Sequence, residues 1–131
     1  MLIIHSDRYT LNAVTYRYYY AGNFSNLSPS SWVGAYHCAE LPLIFGTHSN
    51  FRGESTPFEY AVSYRYQDLY LAFANDPING LASRGWPAYE PNGSVLKIGG
   101  DGLVTQLMDV KILQDLCVGL DPAPGVTLVP T

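Results

Sequence analysis

Residues 12–20 read as a strand with two apolar faces, and this stretch constrains the fold more than any other. Val14, Tyr16, Tyr18 and Tyr20 fall on one side, with Thr15, Arg17 and Tyr19 on the other. All but Arg17 are β-branched or aromatic, which suits a strand covered above and below. Such a strand needs neighbours, because alone it presents unpaired N–H and C=O groups along both edges. The remaining chain offers few. One strand is expected at 94–98, after the tight-turn pair Asn92-Gly93, and a return strand at 103–107, after the turn Gly99-Gly100-Asp101-Gly102. The imbalance points to a sheet that the chain contains only in part.

Two helical signals lie between the strand and the hairpin. Pro42 suits the first turn of a short helix and Gly46 its end, with Leu41, Ile44 and Phe45 as the expected buried anchor. Thr56 and Glu59 have the spacing of a capping box, and Pro57 takes the first helical position. Phe58, Val62, Tyr66, Leu69 and Phe73 then recur at helical intervals until Asn75-Asp76-Pro77 stops the run. A last, short amphipathic helix is expected within 108–118, on Met108, Ile112, Leu113 and Leu116. Residues 1–120 are expected to belong to one domain, of which the chain holds a part, and 121–131, with three prolines, to a tail.

Composition narrows the partners. At 47% apolar and 14% charged, the 131 residues can bury a core. A net charge of -4 offers no basic face for nucleic acid or an anionic membrane surface. No apolar run is long enough for a transmembrane segment, and residues 1–4 are too short for a signal-peptide core. Three N-glycosylation triplets, at Asn23, Asn26 and Asn92, exceed the roughly one expected by chance. They read either as polar turns or as marks of a protein that passes through the secretory pathway.

The chemistry-bearing residue is His37. It follows a polar loop and the small residues Gly34 and Ala35, and it runs directly into the apolar segment 41–46. A general base in serine hydrolysis needs this placement, on a loop free to point at a nucleophile yet tied to a rigid scaffold. The segment Gly34-Ala35-Tyr36-His37-x-x-Glu40-Leu41-Pro42-x-x-Phe45-Gly46 resembles the catalytic-histidine motif of the type-B carboxylesterase/lipase (cholinesterase-like) family. The likeness extends from about Ala13 to Cys117, including the Tyr16-Arg17-Tyr18 strand, Phe73-Ala74-Asn75-Asp76-Pro77 and Trp86-Pro87-x-Tyr89, and is nearest to fungal secreted esterases. It implies an α/β fold, as the C-terminal fragment of an α/β hydrolase: strand, histidine loop, long helix, β-hairpin, short helix. It also implies a carboxylic ester hydrolase of the serine type, extracellular when complete, acting on small-molecule or lipid esters without a cofactor. His37 would be the triad histidine and Glu40 a supporting carboxylate, not the triad acid.

Three departures qualify that implication. Cys38 stands where the family usually has glycine, and Cys117 lacks the upstream cysteine with which the family's C-terminal one often pairs. No Gly-x-Ser-x-Gly elbow occurs, and Gly53-Glu54-Ser55 imitates only part of one before a capped helix. The chain is therefore expected to be inactive alone, with a non-catalytic interaction domain derived from a hydrolase as the alternative. His37, Cys38 and His48 lack metal-ligand spacing.

Overall fold

The structure is a computed structural model that describes residues 8–115. It contains a three-stranded mixed sheet, with β1 (Tyr18–Tyr20), β2 (Ser94–Ile98) and β3 (Thr105–Asp109) side by side in that order. β1 runs parallel to β2, with Tyr18 opposite Leu96 and Tyr20 opposite Ile98. β2 and β3 are antiparallel, from Ser94 opposite Asp109 to Ile98 opposite Thr105. Parallel neighbours need a crossover, and here it contains the helices α1 (Leu41–Ile44) and α2 (Pro57–Asn75). A short helix α3 (Val110–Asp115) follows β3 directly.

The expected two-faced strand is shorter than its sequence pattern. Only Tyr18–Tyr20 is paired as strand, and the carbonyls before it serve loop donors in whole or in part, Arg17 O being shared with Leu96 N of β2 at 3.4 Å. Thr15 O accepts from Tyr89 N at 2.7 Å, and Arg17 O accepts from Trp86 Nε1 at 3.0 Å. On one face Tyr16, Tyr18 and Tyr20 pack on the core as expected, but Val14, before the paired segment, is 44% exposed, and on the other face Tyr19 remains 39% exposed. The hairpin also shifts along the chain: its return strand starts at Thr105 rather than 103, and Met108 belongs to that strand and not to the helix after it. The end of the expected last helix, Cys117 and the proline-rich tail lie outside the described residues.

α2 forms where its signals placed it. Thr56 Oγ1 accepts from Glu59 N at 3.1 Å, Pro57 opens the helix, and the chain leaves helical geometry at Asp76. Val62, Tyr66, Leu69 and Ala72 form its buried stripe, with Phe58 partly buried at one end. Phe73 sits at the stripe's margin, 45% exposed, its ring edge-on to Tyr16.

The stripe meets Leu96 and Ile98 of the sheet together with Phe24, Leu27, Leu43, Leu81 and Trp86. Each fully buried aliphatic side chain contributes about 1.5–3 kcal/mol. Edge-to-face contacts of Tyr18 with Tyr66 (5.9 Å between ring centroids) and with Trp86 (5.7 Å) tie the strand to α2 and to the loop that follows it. In α1 the anchor is Leu43, fully buried, while Leu41 and Phe45 are exposed and Ile44 is partly buried. This corrects the expected trio. A four-residue helix turns one position squarely inward, here the one docked against α2, where Ser63 Oγ also donates to Leu43 O at 2.7 Å.

Candidate active site

His37 lies in a tight turn between two residues with left-handed backbone, Gly34 (φ 61) and Cys38 (φ 68). Glycine adopts that conformation freely, but at Cys38 the Cβ makes it cost roughly 1–2 kcal/mol. Tyr36 N donates to Gly34 O, Ala39 N to Tyr36 O and Leu41 N to Cys38 O, so the turn is closed by its own backbone. Ala39 and Leu43 are buried behind it, while His37 and Cys38 face outward. The imidazole is therefore presented on a short loop with a packed base. Among the described residues, no side chain hydrogen-bonds to it.

Glu40 does not cap α1, although it occupies the capping position. Its Oε1 instead accepts from Tyr18 Oη at 3.1 Å, tying the histidine turn to β1. Burial, reinforced by Tyr70 and Glu40, pushes the Tyr18 phenol far above its ordinary range, so it remains a donor wherever the protein is folded. Burial does the same to Tyr20 and Tyr66, with Glu40 among the causes for both.

A second network was not expected from the sequence. His48 and Glu59, both about 2% exposed or less, face each other across the start of α2, with Nδ1 3.4 Å from Oε1. Ser55 Oγ lies 2.6 Å from the same Nδ1. A serine triad puts nucleophile and carboxylate on opposite imidazole nitrogens. Here both approach Nδ1, so the group is a structural clasp, and Ser55 is loop, as its context in the sequence implied. Asn26 completes the clasp by donating through Nδ2 to Glu59 Oε1 (3.0 Å), Ser55 Oγ (3.2 Å) and His48 O (3.2 Å). The one sequence signal for it was Glu59, which looked like half of a capping box; its backbone caps, but its carboxylate turns inward.

That geometry separates the three glycosylation candidates. Asn23 and Asn92 are exposed. Asn26 is 5% exposed and its amide nitrogen is shared among three acceptors, so the folded chain does not present it. Among the described residues, no cluster of His, Cys, Asp and Glu suits a metal ion, and no helix is long and apolar enough to cross a membrane.

Comparison with known proteins gives the family. The chain is 51% identical over 109 residues, 81% of its length, to the secreted lipase 5 of Gibberella zeae. It is 41% identical over 127 residues, 85% of its length, to the chlorogenic acid esterase of Aspergillus niger. The chain belongs to the carboxylesterase/lipase family. Acetylcholinesterase of Gallus gallus is a more distant member, 32% identical over 80 residues, 60% of this chain. These carboxylesterase-family relatives are much longer: the matches span 20%, 25% and 10% of their respective lengths. No protein-family model and no solved structure matches the chain. The small mixed sheet with its crossover helices is compatible with part of an α/β hydrolase, the fold of these carboxylesterases.

Proposed function

We propose that this chain is the C-terminal part of a serine carboxylic ester hydrolase with the α/β-hydrolase fold, and that it contributes the triad histidine, His37. The observation that carries the reading is the outward imidazole of His37, on a turn with a buried base, in a chain of the carboxylesterase family. In this role His37 takes the proton from a serine hydroxyl as that oxygen attacks the ester carbonyl. It then gives the proton to the departing alcohol, leaving an acyl-serine that water cleaves by the same exchange in reverse. Glu40, bonded to Tyr18, steadies the turn and takes no part in proton transfer.

The serine, the acidic triad member and the oxyanion hole come from outside these 131 residues, which contain no Gly-x-Ser-x-Gly elbow. The substrate class is a small-molecule or lipid carboxylic ester, and no cofactor is needed. The complete protein is extracellular, as the name of the Gibberella lipase suggests for that relative, with Asn23 and Asn92 as glycan acceptors.

The test uses p-nitrophenyl esters, with the chain alone and joined to hydrolase sequence that carries a Gly-x-Ser-x-Gly elbow. The chain alone should give no turnover, and the completed enzyme should lose activity by about 10³-fold or more on His37→Ala. Turnover by the completed enzyme that survives His37→Ala would refute the assignment and favour a non-catalytic interaction domain.

A further inference from the structure

We propose that the turn at 24–28 is a positioning element for His37, with Asn26 as its anchor and Tyr36 as its point of contact. The inference rests on the reading of His37 as the catalytic base and extends it to residues outside the histidine motif. The turn closes on itself through Leu27 N and Ser28 N, both donating to Phe24 O (3.1 and 2.9 Å). Phe24, Asn26, Leu27 and Ser28 are all buried, although the sequence here is polar and reads as an ordinary surface loop.

Two bonds run from this turn to the residues just before His37. Tyr36 Oη donates to Leu27 O at 3.0 Å, and Ser28 Oγ lies 3.3 Å from Gly34 O, to which it donates. Three bonds of the Asn26 amide run in the other direction, to the His48–Ser55–Glu59 clasp at the start of α2. Arg52 adds a fourth tie on that side, Nη1 donating to Ser28 O at 2.8 Å.

The turn therefore spans the gap between a rigid helix end and a loop that has little burial of its own. Placement of a general base within a few tenths of an ångström needs such support, because a displacement of about 1 Å can cost 10²-fold in rate. The Tyr18–Glu40 bond fixes the turn downstream of His37, and the 24–28 turn fixes it upstream. Between the two, the backbone that carries the histidine is tied on both sides.

The variant that isolates this role is Tyr36→Phe, which deletes one hydroxyl and keeps a ring that is already 37% exposed. In the chain, amide hydrogen exchange at 34–39 should accelerate about tenfold while exchange along 62–69 of α2 stays unchanged. In the completed enzyme, kcat per active site, with active sites counted by the acyl-enzyme burst so that loss of folded protein is corrected for, should fall about tenfold with KM held within about twofold. Asn26→Ala should reproduce both effects from the far side of the turn. Unchanged exchange at 34–39, or a kcat within about twofold of the parent, overturns the proposal. A completed enzyme indifferent to His37→Ala would instead refute the catalytic reading, and the exchange measurement would still report whether the turn holds the loop.

Discussion

The phenol of Tyr66 is fully buried, and its hydroxyl has no hydrogen-bond partner among the described residues. Burial, with added repulsion from Tyr18, Glu40 and Tyr20, holds its ionisation far above the ordinary value of 10.0. In the unfolded chain the same phenol ionises near pH 10. Its contribution to stability is therefore intact below that pH and drains away above it, by up to about 1.4 kcal/mol per pH unit. Tyr66→Phe should stabilise the chain by about 1 kcal/mol at neutral pH, because it removes an unpaired buried hydroxyl. It should also flatten the loss of stability above about pH 10. Urea unfolding at pH 7 and along an alkaline series checks both, and an unaltered alkaline slope would contradict the argument. Helical spacing alone placed Tyr66 on the inner face of α2. What spacing could not supply is that Tyr18, Tyr20 and Tyr66 gather near one carboxylate, since this depends on which strand residue meets which turn of the helix.

Among the elements, α2 was the most legible, because its signals are local: a threonine cap, a proline at the first position and an Asn-Asp-Pro stop. Its exit was not. Asp76 Oδ1 accepts from Ile78 N and Asn79 N, and Gly80 N donates to Asp76 O at 2.9 Å, folding the chain back against the helix end. A Cβ at position 80 would lie far inside contact distance of the Ala72 and Asp76 carbonyl oxygens, both backbone atoms with nowhere to go. In sequence Gly80 is one loop glycine among several. Gly80→Ala should cost about 2 kcal/mol and lower Tm by several degrees, measured by calorimetry with helicity followed by circular dichroism. A change in Tm of less than a degree would show that the exit can relax. The same local-versus-distant distinction explains α1. Its bounds follow from Pro42 and Gly46, but that Leu43, and not Leu41 or Phe45, turns inward depends on how the helix docks against α2, where Ser63 Oγ also holds Leu43 O.

Across the whole molecule, the histidine motif was readable because its residues are contiguous. The clasp that supports it was hidden because it joins Asn26, His48, Ser55 and Glu59 from separate segments. The sheet carries a further consequence, which concerns time. β2 and β3 are joined by a few residues, and α2 is local throughout, whereas β1 pairs in parallel with a strand from the far end of the described chain. Closing so long a loop costs entropy that short-range pairings avoid, so hairpin and helix should form first and β1 should dock last. Pulsed hydrogen exchange during refolding should protect amides of α2 before those of Tyr18–Tyr20; simultaneous protection would count against this order. During synthesis the asymmetry is sharper still. The most tyrosine-rich segment leaves the ribosome ahead of its partner strand and waits, unpaired and adhesive, until β2 is made.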